Sequence, residues 1–170
     1  MADEPVSALD VSIQAQILNL FGKLRSEEHV AIVLIAHQLN VVAHLADTVL
    51  VMYLGRIVES GPASTVFGQP GHPYTLALLE SQPGRHRRAQ RRQPVLKGEI
   101  PSSLNIPAGC RFRTRCPMAQ DICREVDPPP ADLGGGHMAW CHFPGEVAPS
   151  ANGAAPGARL GKAAARRLAA

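Results

Sequence analysis

Three groups of residues have types and spacing that can do chemistry. Asp3 and Glu4 stand side by side ahead of Pro5. Two adjacent carboxylates leaving a strand can divide the work of phosphate hydrolysis. One holds Mg²⁺, usually through water because that ion keeps much of its hydration shell. The next orients or deprotonates the attacking water. A charged chain start gives the same dipeptide, so the pair alone assigns nothing. His37 follows the apolar run Ala31–Ala36. A histidine at the carboxyl edge of a parallel strand lies where α/β folds place ligands, and its imidazole can donate to a phosphate oxygen. A loop histidine with an incidental hydrogen bond is the plainer alternative. Cys110, Cys116, Cys123 and Cys141 are spaced C-x5-C-x6-C-x17-C. Thiolates are soft ligands that suit zinc or iron–sulfur clusters. The spacing departs from the tight C-x2-C pair of zinc ribbons. It leaves a metal or cluster, unligated buried thiols and two disulfides all open. His137 and His142 flank the last cysteine as substitute ligands, with ordinary loop histidines as the simpler reading.

Positioning these groups requires regular elements. Ser7-Ala8-Leu9-Asp10 offers capping side chains, and Ile13, Ile17, Leu20, Phe21 and Leu24 recur at helical spacing, which predicts a helix over 7–26. Ala31–Ala36 is apolar and β-branched, the pattern of a strand buried on both faces of a parallel sheet. Residues 39–46 read as a short helix and Thr48–Tyr53 as a second buried strand. Leu54-Gly55 turns the chain into a shorter strand over Arg56–Glu59, a hairpin closed by Gly61-Pro62. Pro73–Ser81 reads as a helix with proline in its first turn. The order helix, strand, helix, strand is α/β organisation with its opening strand absent, so Ala31–Ala36 is expected to show an open edge. A boundary is expected near 66–72. Residues 98–143 hold all four cysteines among many prolines and glycines. Such a segment buries little on its own and needs a staple.

Hydrophobic residues make up 45% of the 170 and aromatic residues 4%, so the core must rest on Val, Leu, Ile and Ala. The net charge of +3 does not argue for a nucleic-acid partner. Arg85, Arg87, Arg88, Arg91, Arg92 and Lys97 form an acid-free run, read as a solvated linker. Residues 147–170 read as a disordered tail. No apolar stretch reaches about 18 residues, the length of a membrane span, and the opening Ala2-Asp3-Glu4-Pro5 is not a secretory signal. In a reducing compartment four cysteines favour a metal or cluster over disulfides.

The full octet Asp3-Glu4-Pro5-Val6-Ser7-Ala8-Leu9-Asp10 resembles the segment that follows the Walker B strand of ABC-transporter ATPases. That resemblance implies a magnesium contact for Asp3, action on water for Glu4, and a loop ending at Asp10 that reaches across a dimer. It gives His37 the role of the family's switch histidine, although Ala36 and Gln38 replace the usual serine and aspartate. Val11–Leu18 and His72-Pro73-Tyr74-Thr75 are similar to the oligopeptide and dipeptide importer branch. Gly98–Ser102 and Gly109–Pro117 resemble that branch's cysteine-bearing C-terminal domain, some members of which hold a four-iron, four-sulfur cluster. The resemblance therefore implies ligand roles for Cys110, Cys116, Cys123 and Cys141, with a cluster ahead of zinc.

The fold it implies is α/β: a partial P-loop NTPase sheet with helices, then a small loop-rich cysteine domain. The divisions are 1–68, the C-terminal part of a nucleotide-binding domain; 69–146, the four-cysteine extension; and 147–170, the tail. The function it implies is the ATP-hydrolysing subunit of a peptide importer, using ATP with Mg²⁺. Its partners are a second ATPase subunit, identical or paralogous, and transmembrane permease subunits, with no nucleic acid. Its place is the cytoplasmic face of the membrane, peripherally. A stand-alone iron–sulfur or zinc module is the alternative. No G-x-x-x-x-G-K-[ST] phosphate loop occurs in the sequence. That loop supplies most of the grip on ATP, so these 170 residues by themselves are expected to lack useful ATP binding.

Overall fold

The computed structural model describes residues 1–7, 9–82, 96, 98–102 and 104–146. The arginine-rich run, apart from its flanks, and the tail lie outside the described residues. The chain is a mixed α/β structure with two separate sheets.

The first sheet is a minimal parallel pair. β1 (Ala2–Asp3) runs beside β2 (Leu34–Ile35), with Ala2 opposite Leu34 and Asp3 opposite Ile35. The Ala2 and Glu4 amides donate to the Val33 and Ile35 carbonyls at 2.8 and 2.9 Å, extending the ladder past both ends. The crossover between them is α1 (Val11–Glu27), which begins at Val11 rather than residue 7. Ser7 N–H bonds back to the Glu4 carbonyl and Leu9 N–H to Val6, so residues 4–9 form successive turns and Asp10 becomes the N-cap. The Gln14 amide pins this loop by donating to the Val6 and Leu9 carbonyls at 2.9 and 3.0 Å.

Two expectations are corrected here. The strand foreseen over 31–36 is regular only at 34–35, and it is not buried on both faces: Val33 and Ile35 are 62% and 46% exposed. Its one neighbour in the sheet among the described residues is β1, and the run alternates, with Ile32, Leu34 and Ala36 half-buried and Ala31, Val33 and Ile35 exposed. Ile13, Leu20 and Leu24 on the apolar stripe of α1 are exposed too. α2 (Leu39–Leu45) follows and buries Val41.

The second sheet is antiparallel, in the order β3-β4-β6-β5. β3 (Thr48–Tyr53) alternates strictly, with Val49, Val51 and Tyr53 buried and Thr48, Leu50 and Met52 exposed. It is therefore a one-faced strand, not the fully buried one foreseen, because one face of this antiparallel strand is left uncovered. Leu54 and Gly55 both have positive φ, 44° and 75°, the sign pattern of a type I′ hairpin turn. β4 (Arg56–Pro62) runs three residues beyond the expected end. Its pairing jumps from Val51–Glu59 to Met52–Ile57, leaving Val58 as the extra residue of a bulge. Val58 and Glu59 are consequently both buried.

α3 (Ala63–Gly68), absent from the sequence reading, covers the hairpin with Ala63 and Val66. α4 (Pro73–Glu80) begins with proline as expected and is capped by His72, whose Nδ1 accepts from Tyr74 N–H at 3.1 Å. After the short α5 (Ile122–Glu125), β5 (Pro130–Asp132) and β6 (Met138–Trp140) complete the sheet on β4.

The cysteine segment does not stand alone as a stapled unit. Cys110, Phe112 and Cys123 enter one core with Val49, Val51, Tyr53, Val58, Ala63 and Val66. The Phe112 ring meets Tyr53 edge-on at 5.2 Å and also contacts Tyr74 and His72. Such pairs add about 0.5–1.5 kcal/mol each beyond area burial.

Candidate functional site

Glu4 and His37 leave the carboxyl ends of two adjacent parallel strands. The ladder carries Glu4 directly past β1, and its backbone there has φ 43°. A left-handed conformation is costly for a residue with a Cβ, about 1–3 kcal/mol, and such positions cluster where a side chain must be aimed. His37 lies two residues beyond β2, before α2 begins. The result is a contact of 3.1 Å between His37 Nδ1 and Glu4 Oε1. The side chains are 61% and 49% exposed. An ion pair open to water contributes about 0–1 kcal/mol, so the fold does not depend on it. Both groups stay available to a ligand approaching the strand ends.

Asp3 and Asp10 are exposed on either side of the turn that carries Glu4. Asp10 makes no side-chain capping bond to α1; its carboxylate is left facing outward while its carbonyl accepts from Gln14 N–H at 2.8 Å. Mg²⁺ asks the protein for only one or two carboxylates, the rest of its shell being water and phosphate. The Asp3–Glu4 turn meets that modest requirement.

The four cysteines are free thiols. Cys110 and Cys123 are buried and joined through the backbone, Cys110 N–H donating to the Cys123 carbonyl at 2.9 Å. Cys116 and Cys141 are half-buried. Burial raises the Cys116 and Cys141 thiols to about 11 and pushes Cys110 up as well. A smaller contribution in the same direction comes from thiol on thiol: Cys141 feels Cys110, Cys116 and Cys123 together. The disulfide alternative is thus not realised. Among the described residues, no three His, Cys, Asp or Glu side chains stand close enough for a single metal ion. A lone zinc, with Zn–S bonds of about 2.3 Å, is not framed by the thiols as they stand.

The two flanking histidines separate. His142 is exposed and donates through Nε2 to the Val126 carbonyl at 3.0 Å, as a loop histidine does. His137 is neither a ligand nor a loop histidine: it is 3% exposed, with Nε2 at 2.7 Å from Glu59 Oε1. Glu59 is fully buried and also accepts from the Gly71 and His72 amides at 2.6 and 3.0 Å. Glu59 ends the strand expected over Arg56–Glu59, where nothing in the sequence marks it as buried. Its signal, an acid inside a strand reading Ile-Val-Glu-Ser-Gly, turns inward only because of the Val58 bulge. His72 is buried as well, and burial lowers it to about 4.

Residues 58–123 match the family described as the oligopeptide/dipeptide transporter, C-terminal region. The chain is 49% identical over 142 residues to the Sinorhizobium fredii protein named Probable peptide ABC transporter ATP-binding protein y4tS, covering 84% of this chain and 40% of that one. It is 48% identical over 145 residues to the Bacillus subtilis Oligopeptide transport ATP-binding protein AppF, covering 84% and 44%. The chain therefore spans less than half the length of these relatives.

Proposed function

We propose, because residues 58–123 match the C-terminal region of the oligopeptide/dipeptide transporter family and the chain resembles peptide ABC transporter ATP-binding proteins over most of its length, that these residues are the rear part of an ATP-hydrolysing subunit of a peptide importer. The observation that carries the reading is the 3.1 Å contact between His37 and Glu4 at the ends of neighbouring strands. Two side chains so placed face one terminal phosphate. Glu4 takes the proton of the attacking water, His37 donates to a γ-phosphate oxygen, Asp3 holds Mg²⁺ through water, and the loop ending at Asp10 meets a second ATPase subunit. Bound Mg²⁺ supplies charge neutralisation for the transferring phosphoryl group.

The division of labour follows the chain: 1–68 serve the nucleotide, 69–146 form the cysteine-bearing extension, and transmembrane permease subunits receive the coupled motion at the cytoplasmic face. The described residues contain no helix long and apolar enough to cross a membrane, which suits a peripheral subunit. In the extension, Cys110, Cys116, Cys123 and Cys141 act as one ligand set for a four-iron, four-sulfur cluster of structural purpose. The support is the resemblance of this segment to the family's C-terminal region, whose match over residues 58–123 includes Cys110, Cys116 and Cys123.

A chimera tests the nucleotide reading. Residues 2–146 replace the matching stretch of the Bacillus subtilis relative, and phosphate release from ATP is followed. Glu4→Gln is expected to slow release by about 10²–10⁴-fold, the usual weight of a general base, with nucleotide binding retained. Release at the unsubstituted rate would remove Glu4 from the chemistry.

A further inference from the structure

Glu4 holds a backbone conformation that its own sequence disfavours. Its φ of 43° is left-handed, and Pro5 follows it directly. A residue ahead of proline is pushed toward an extended φ of about −120°. Such a departure persists only where the surroundings over-determine it. Three bonds act on Glu4 itself. Its N–H donates to the Ile35 carbonyl at 2.9 Å, and its carbonyl accepts from Ser7 N–H and Ser7 Oγ at 3.2 and 3.0 Å. Two of the three come from Ser7, which is exposed, so water competes for them.

We infer that Gln14 is a positioning residue, whose side-chain amide locks this turn and so keeps Glu4 aimed at His37. Gln14 is the fourth residue of α1 and is half-buried. Its Nε2 donates to the Val6 carbonyl at 2.9 Å and to the Leu9 carbonyl at 3.0 Å. A side-chain amide carries two N–H donors, so both bonds form together and tie two points of the loop to one atom. Leu9 N–H joins the same two points by donating to the Val6 carbonyl at 3.3 Å. That carbonyl thus receives two donors, one for each lone pair.

The clamp reaches Glu4 through a short, stiff path. The Val6 side chain is 2% exposed, which anchors the loop inward two positions after Glu4. Pro5 lies between them, and its ring fixes φ, so few torsions remain to absorb a rotation of Glu4. Gln14 N–H also donates to the Asp10 carbonyl at 2.8 Å, which joins the loop to the start of α1. Swinging Glu4 away from His37 Nδ1, 3.1 Å from its Oε1, therefore pulls the Val6 carbonyl off Gln14.

The catalytic purpose of the clamp rests on Glu4 acting on water as proposed above, and two arms keep the claims apart. In the full 170-residue chain, amide hydrogen exchange at Ser7 and Leu9 reads the clamp whatever Glu4 does. Gln14→Met keeps the side chain's length and removes both donors, whereas Gln14→Lys returns donors. Gln14→Met is expected to speed exchange at both amides about tenfold while Leu20, later in α1, keeps its rate, as a local opening does. Gln14→Lys is expected to recover most of the protection. Unchanged exchange in Gln14→Met, free exchange at both amides in the unsubstituted chain, a rise shared equally by Leu20, or no recovery in Gln14→Lys overturns the inference. In the chimera with the Bacillus subtilis relative, Gln14→Met is expected to lower kcat about 10–10²-fold with KM for ATP unchanged, as misplacing a reacting group does. In a Glu4→Gln background it is expected to cause no further loss, because the group it positions is already gone. An unslowed Gln14→Met, a loss confined to KM, or a loss of full size in the Glu4→Gln background also overturns the inference. Glu4→Gln turning over at the unsubstituted rate instead sinks the hydrolysis reading, and exchange at Ser7 and Leu9 then decides the clamp alone.

Discussion

The two acid–histidine pairs of this molecule sit in opposite surroundings. Glu4 and His37 meet at 3.1 Å across a two-stranded parallel ladder, with half or more of each side chain in water. Glu59 and His137 meet at 2.7 Å inside a four-stranded antiparallel sheet, with 0% and 4% exposure. Similar chemistry thus serves different ends. The exposed pair contributes little to folding and is free to exchange partners, as a site that handles a ligand must. The buried pair also gathers the Gly71 and His72 amides and so holds segments together. Around the first pair apolar residues such as Val33, Ile35 and Leu20 remain exposed; around the second, Val66 and Phe112 are sealed.

Substitutions on the buried side sharpen the contrast most. Glu59→Ala is expected to cost about 3–5 kcal/mol, the usual penalty for breaking a buried pair, read as a loss of unfolding free energy in urea. A cost near zero would show that the carboxylate is solvated after all.

Acid should reach the same region through His72. Its imidazole is lowered from 6.5 to about 4 by burial, and its Nδ1 must stay unprotonated to accept from Tyr74 N–H. A depressed value in the folded chain means that stability is complete above pH 6.5. It is lost as pH falls through 4, amounting to about 3 kcal/mol. His72→Gln removes the titration, so its urea midpoint is expected to vary less between pH 7 and 4.

On the exposed side, Glu4→Gln is expected to change stability by less than about 0.5 kcal/mol, as surface substitutions do. A loss comparable to that of Glu59→Ala would erase the distinction between the two pairs.

Much of this arrangement was legible in the sequence. The hairpin at Leu54-Gly55 and the proline-led helix at Pro73 depend on local signals: a turn dipeptide and a fixed φ. What escaped depends on distant partners. Burial of Ala31–Ala36 on both faces was read from its apolar character, but burial needs a covering layer, and the face bearing Val33 and Ile35 stays exposed. Thr48–Tyr53 is continuous in hydrophobicity yet one-faced, because Leu50 and Met52 point away from the core. The inward turn of Glu59 required a bulge that no residue type announces, and His137 became a core residue only through Glu59, 78 positions earlier. The cysteine segment was read as burying little on its own and needing a staple; what the sequence did not show is that its strand β6 pairs with β4.

Whether the exposed pair works as one unit on a single phosphate can be measured directly. In the chimera with the Bacillus subtilis relative, ATP turnover is compared for the unsubstituted protein, Glu4→Gln, His37→Ala and the double variant. Residues acting together lose their effects non-additively. The double variant is therefore expected to be no slower than the slower single one. Losses that multiply, or a silent His37→Ala, would place the two side chains in separate tasks and contradict a shared site.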